Sequence, residues 1–142
     1  MREKPLVLVL DDEDVFLEIA SLKLGTAGFS TVTTNDAQDA LIKAETLQPD
    51  FILSDVYMPQ GLSGWEFARA LHENHKTKGI KFAFFTSLRD PWAGLEDAEH
   101  KKILREMGNV PILSKTNDVE FLADRILKLM SSSQEEAGPG MA

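Results

Sequence analysis

Five short apolar runs, at Leu6–Leu10, Phe29–Thr33, Phe51–Ser54, Ile80–Phe85 and Val110–Leu113, are spaced along the chain and separated by stretches that suit helices. That alternation predicts an α/β architecture with a parallel sheet, because each return to a parallel strand needs a crossover long enough to hold a helix. LVLVL at Leu6, FIL at Phe51 and FAFF at Phe82 are apolar without interruption, which suits strands covered by helices on both faces and predicts central positions. FSTVT at Phe29 alternates instead and is expected at an edge.

Helical spacing fills the gaps. Val15, Ile19 and Leu22 form the expected buried stripe of a first helix, with Asp11, Asp12, Glu13 and Asp14 crowding its N-terminal end and Gly25 and Gly28 stopping it. Ala37, Ala40, Leu41, Ala44 and Leu47 predict a second helix that Pro49 ends. Trp65, Ala68 and Leu71 predict a third, entered from the loop Gln60–Gly64 and left through His72–Gly79. Asp90-Pro91 reads as a cap followed by proline, and a helix is expected from Glu96 to Met107. Val119, Leu122, Ile126 and Leu129 mark a last helix capped by Asn117 or Asp118.

At 142 residues the chain has the usual size of one domain, so neither a two-domain enzyme nor an attached DNA-reading module is expected. Residues 1–130 form the expected domain, and 131–142, SSSQEEAGPGMA, a flexible C-terminal tail with little to bury. Fifteen basic against twenty-three acidic residues give a formal charge of -8, the wrong sign for gripping nucleic acid or an anionic membrane. The chain contains no cysteine, which excludes thiolate metal sites and cysteine nucleophiles. No apolar run reaches spanning length and no signal-peptide pattern precedes Leu6, so a cytoplasmic location is expected.

In an open α/β sheet, ligands bind beyond the carboxyl ends of the strands, so the residues that follow each strand are the ones to collect. The first strand delivers Asp11 and Asp12, the third Asp55, the fourth Thr86 and Ser87, and the fifth Lys115. Hard oxygen donors with room for waters and a phosphate suit Mg²⁺, with Asp12 and Asp55 as direct ligands and Asp11 holding a metal-bound water. Lys115 and Thr86 add cationic and hydroxyl donors for a phosphoryl group. The chemistry suggested is phosphoryl transfer onto the Asp55 carboxylate. Each residue also has a plainer role. Acids before a helix act as caps and dipole partners, Asp55 can turn the chain before Met58-Pro59, Thr86 can simply end a strand, and Lys115 can be solvated. Placement after four separate strands argues for a shared site, because those independent roles would otherwise have to coincide.

With these residues in place, the sequence resembles the receiver domain of two-component response regulators. Asp11-Asp12-Glu13 resembles the family's acidic pair, Asp55-Val56-Tyr57-Met58-Pro59 its phosphoacceptor segment, Thr86 its hydroxyl residue and Lys115 its lysine, over Leu6 to about Met130. The resemblance implies a stand-alone, doubly wound five-stranded parallel sheet in order 2-1-3-4-5, flavodoxin-like (α/β)5, with two helices on one face and three on the other. It implies that Asp55 accepts phosphate from a sensor histidine kinase, a phosphotransfer protein or a small phosphodonor. Asp11, Asp12, Asp55 and the Tyr57 backbone carbonyl would arrange Mg²⁺, and Thr86 and Lys115 would engage the phosphoryl group. Such a protein is not an enzyme in the usual sense, since it catalyses its own phosphorylation and slow dephosphorylation. The family's output face, made by the helix expected at 96–107, the fifth strand and the last helix, implies an unknown protein effector, with the domain a monomer or weak dimer.

The chain departs from the family at several points. Ile112 stands where an aromatic residue commonly precedes the lysine by three, Thr116 replaces the proline that commonly follows it, and Ser87 replaces a smaller residue. Gly61-Leu62-Ser63-Gly64 is one residue longer than the family's loop, and Leu88–Asp97, with Trp92, reads as an insertion. Two alternatives stay open: a degenerate receiver that docks without phosphate, and a haloacid-dehalogenase-like phosphatase built on the Asp12-Glu13-Asp14 spacing. His72 and His75 are three apart, but they lack an evident third ligand and fit a basic helix end better.

Overall fold

A computed structural model describes residues 2–58, 62–87, 102, 105 and 110–131. Nine elements are defined among them: β1 (Leu6–Leu10), α1 (Asp14–Thr26), β2 (Ser30–Thr34), α2 (Ala37–Leu47), β3 (Phe51–Ser54), α3 (Gly64–Glu73), β4 (Lys81–Thr86), β5 (Ile112–Ser114) and α4 (Leu122–Ser131). The strands form one parallel sheet in order β2-β1-β3-β4-β5. No helix among the described residues is long and apolar enough to cross a membrane.

The unbroken apolar strands lie where helices cover both faces. Leu8, Leu10, Ile52, Phe82 and Phe84 point to the face packed by Ala37, Ala40 and Ala44 of α2 and Phe67, Ala68 and Leu71 of α3. Val7, Val9, Phe51, Leu53, Ala83, Phe85 and Leu113 point to the other, against Ala20 and Leu24 of α1 and Leu122 and Ile126 of α4. Trp65 lies edge-on to Phe84, their ring centroids 4.5 Å apart, and serves as core like Phe67. β2, the alternating run, is an edge strand paired only with β1.

Several expectations need correction, among them the stop at Gly25, which lies within α1, and the start of β5, at Ile112 rather than Val110. The expected stripe of α1 is out of phase: Val15 and Leu22 are 55% and 70% exposed, and the buried face is Ala20 and Leu24 with Phe16 and Leu17 beside them. Two stripes with helical spacing overlap in this segment, and the one that carries both the Phe16 ring and the small Ala20 packs on the sheet. β2 begins one residue later than its apolar run, because the Phe29 N–H is held by the Leu24 carbonyl at the end of α1, where Gly28 adopts φ 98°. The last helix starts at Leu122, not directly after Asn117 or Asp118. The Asp118 carboxylate instead accepts the Ser114 N–H at 2.6 Å and pairs with Arg125 at 3.1 Å, pinning the turn between β5 and α4. Ser131, expected to begin the tail, is the last residue of α4; the insertion Leu88–Asp97, nearly all of the helix expected at 96–107 and the rest of the tail lie outside the described residues.

Candidate functional site

Three backbone hydrogen bonds carry the sheet one residue past its strands. The Asp55 N–H reaches the Leu10 carbonyl at 2.9 Å, the Asp11 N–H the Thr34 carbonyl at 3.2 Å, and the Lys115 N–H the Thr86 carbonyl at 3.0 Å. The side chains expected to act together are thereby set at one rim of the sheet. Asp11, Asp55, Thr86 and Lys115 are all buried, whereas Asp12 is exposed.

Lys115 is the centre of this rim. Its Nζ donates to Asp11 Oδ2 at 2.7 Å, to Asp55 Oδ2 at 3.0 Å and to Glu13 Oε1 at 3.3 Å. The same ammonium stands 4.2 Å from the centroid of the Phe16 ring, whose neighbour Phe85 is edge-on at 6.2 Å. The remaining oxygens of the two buried acids are held by backbone: Asp55 Oδ1 accepts the Val56 N–H at 2.7 Å, and Asp11 Oδ1 the Glu13 N–H at 2.9 Å.

The turn after Asp55 is fixed by the start of α3. The Gly64 N–H donates to the Val56 carbonyl at 2.9 Å, and a Cβ on Gly64 would lie 2.7 Å from the Val56 Cα and overlap the Asp55 carbonyl. Glycine is therefore required by close backbone approach. Ser63 and Glu66 complete a capping box, so the helix entry that braces the turn is itself anchored.

Burial dominates the electrostatics. It pushes the Asp11 carboxyl up to about 6, against the opposing pull of the Lys115 hydrogen bond. Asp12 is also raised, first by partial burial and then by the charge on Asp55. For Lys115, burial works to lower the pKa, but the Asp11 hydrogen bond and the charges on Asp55 and Asp11 together raise it, so the ammonium stays charged.

Asp11, Asp12 and Asp55 each offer a carboxylate oxygen, and the three lie within 4.8 Å of one another. Mg²⁺ takes oxygens at about 2.0–2.1 Å in octahedral geometry, which separates ligand oxygens by roughly 3–4 Å. The cluster needs only a small contraction to fit. Its all-oxygen donors and surplus negative charge are those Mg²⁺ prefers.

Residues 7–127 match the family model of the response regulator receiver domain. The chain belongs to that family. This receiver domain is similar to the alkaline phosphatase synthesis transcriptional regulatory protein PhoP of Bacillus subtilis, 37% identical over 67 residues, which are 47% of this chain and 28% of the relative. It is similar to the DNA-binding response regulator MtrA of Mycolicibacterium smegmatis, 28% identical over 105 residues, covering 74% of this chain and 45% of that one. The chain thus spans less than half the length of these curated relatives. Among solved structures, the chemotaxis response regulator CheY4 of Vibrio cholerae superposes with a TM-score of 0.72 at 28% identity, covering 89% of this receiver domain and 98% of that chain.

The structure brings Asp11, Asp12, Asp55 and Lys115 into one cluster, with Thr86 buried on the same rim. Tyr57 follows two residues after Asp55 with its side chain exposed, as is Ser87 after Thr86. The Lys115–Thr116 peptide is trans, and Ile112 packs as a partly buried core residue of the receiver domain. Glu13 and Phe16 are contacts of Lys115 that the strand-end rule does not reach, because both belong to the start of α1. In the phosphatase alternative Asp12 would be the nucleophile, yet Asp12 is exposed, whereas Asp55 is buried and held by both the Val56 N–H and Lys115.

Proposed function

We propose that this receiver domain is a phosphoacceptor signalling module in which Asp55 takes a phosphoryl group, with Mg²⁺ as cofactor. The observation that carries the reading is a single buried ammonium, Lys115 Nζ, joined to Asp55 at 3.0 Å and Asp11 at 2.7 Å beside an exposed third acid, Asp12. Buried clusters of paired charges in which a carboxylate adjoins a candidate metal site concentrate at functional sites.

Asp11, Asp12, Asp55 and the Tyr57 carbonyl are the groups that would hold Mg²⁺, which supplies positive charge to the oxygens of the transferring group. An oxygen of Asp55 attacks phosphorus, a P–O bond forms, and the bond from phosphorus to the donor's leaving group breaks. When the donor is the phosphohistidine of a sensor histidine kinase or phosphotransfer protein, the released imidazole takes a proton from solvent. The Val56 N–H at 2.7 Å keeps the Asp55 carboxylate oriented, so little reorganisation accompanies attack. Lys115 neutralises charge on the phosphorylated side chain, and the Thr86 hydroxyl donates to it from the end of β4.

The readout is a protein surface that includes β5 and α4, since Lys115 directly follows β5 and leads through the Asp118 turn into α4. The partner is a protein effector in the cytoplasm, and the net charge of -8 opposes direct nucleic-acid binding. Treatment with acetyl phosphate and Mg²⁺ followed by mass spectrometry should add one phosphoryl group to the peptide containing Asp55 and none to Asp55→Asn. A chain that stays unmodified yet binds its partner equally well with either residue would instead be a degenerate docking module.

A further inference from the structure

Glu13 holds the N-cap position of α1, where Asp, Asn, Ser or Thr would bond the first free backbone N–H groups, and its longer side chain makes no such bond. Its carboxylate turns instead to Lys115, 102 residues away, at 3.3 Å. The lysine's three N–H bonds are thereby all engaged, by Asp11 at 2.7 Å, Asp55 at 3.0 Å and Glu13. An ammonium has only three donors, so it can give a phosphoryl group on Asp55 more than the one donor Asp55 already holds only by releasing another partner. Glu13 is the partner it can most readily release. It is the longest of the three contacts, and its side chain is 55% exposed while those of Asp11 and Asp55 are 2% and 8% exposed. A freed Glu13 regains water, whereas a freed Asp11 would be left charged and buried.

Building on the phosphoacceptor reading above, we propose that Glu13 is a positioning residue that reserves one donor of Lys115 before phosphorylation and must be displaced when Asp55 carries a phosphoryl group. Phosphorylation of Asp55 replaces one negative charge by roughly two. Glu13 left in place would then face the new anion across the ammonium they share. Its departure costs the Glu13–Lys115 attraction, so the wild-type site takes up phosphate less readily than the same site with a neutral residue there.

The test is the dependence of Asp55 phosphorylation on acetyl phosphate concentration at saturating Mg²⁺, comparing wild type with Glu13→Gln. The variant should reach half-saturation at about two- to fivefold lower acetyl phosphate, the range set by an ion pair that is largely exposed on one side. The gap should narrow as NaCl is raised from 0.05 to 0.5 M, a shift that lost packing would not produce. Asp14→Asn removes the same charge one residue away, where no bond to Lys115 is made, and should track wild type. Glu13→Asp, too short to keep the contact, should behave like Glu13→Gln. If wild type is phosphorylated on Asp55 while Glu13→Gln gives the same curve, or if Asp14→Asn shifts it equally, the role of Glu13 is overturned and the phosphoacceptor reading stands. If wild type takes no phosphate on Asp55, both are overturned.

Discussion

The ammonium of Lys115 sits 4.2 Å from the centroid of the Phe16 ring, in addition to its three carboxylate contacts. Phe16 in turn rests edge-on against Phe85, the residue before Thr86. The lysine is therefore aimed by an aromatic wall as well as drawn by charge. Replacing Phe16 by Leu keeps apolar bulk but removes the ring face, and should lower stability by about 1–2 kcal/mol, toward the scale of a desolvated cation–π contact. Urea titrations of the two single variants and the double variant in a cycle with Lys115→Met would measure it. Additive effects would mean that ring and ammonium merely happen to be near each other.

Gly64 offers a sharper case. Gly64→Ala would force its methyl into the Asp55 carbonyl and Val56 backbone, so the turn carrying Asp55 must move. We expect a loss of about 2–4 kcal/mol, as for a residue overpacked against backbone, together with slower acetyl phosphate labelling. Gly25, within α1, is the contrast, because a methyl added there would meet nothing within 4 Å. Gly25→Ala should stabilise by about 0.5–1 kcal/mol through helix propensity alone. Denaturant midpoints for the pair check both signs.

These contacts also mark where the sequence was legible. β1 and β3 could be placed because strands buried on both faces leave an unbroken apolar signature, LVLVL and FIL. Asp55 and Lys115 could be paired, though 60 residues apart, because parallel strands deliver their ends to one rim. Phe16 and Glu13 could not, because their reach to Lys115 depends on the rotational phase of α1. Val15-Ile19-Leu22 and Phe16-Ala20-Leu24 both have helical spacing, and only packing against Phe85 and Leu53 selects the second. An error in helix phase thus hid two members of the site. The Asp118 turn was hidden for a related reason: an acid near a helix start reads as a cap until Ser114 and Arg125 are seen to claim it.

The raised Asp11 pKa predicts an acid-side gain in stability for the metal-free protein. With a folded value of about 6 and an unfolded value of about 3.9, the folded state binds more protons between those limits. Stability from this group is fully present below the unfolded value and is lost as pH rises through the folded one. Urea midpoints should therefore fall by the equivalent of about 1–3 kcal/mol between pH 4 and 6.5, and the Asp11→Asn variant should lose most of that slope. Lys115, whose pKa is raised from an already high value, stays charged throughout this window and does not contribute to it. Equal slopes in wild type and variant would show that Asp11 is not the group that titrates.

Four acids, Asp11, Asp12, Glu13 and Asp55, surround or adjoin one lysine, so the metal-free site carries more negative charge than it neutralises. Asp55→Asn should then be neutral or stabilising by up to about 1 kcal/mol, because it removes a charge that opposes ionisation of both Asp11 and Asp12. Lys115→Met should do the reverse and cost about 3–5 kcal/mol by leaving two buried carboxylates without their cation. The two effects are coupled, since Asp55→Asn leaves Lys115→Met one fewer stranded charge. Thermal melts of the single and double variants without divalent cation should show Lys115→Met costing less in the Asp55→Asn background than alone. Millimolar Mg²⁺ should restore part of the Lys115→Met loss, its charge replacing the missing ammonium between Asp11 and Asp55. An identical cost in both backgrounds, unmoved by Mg²⁺, would mean that these carboxylates share no common field.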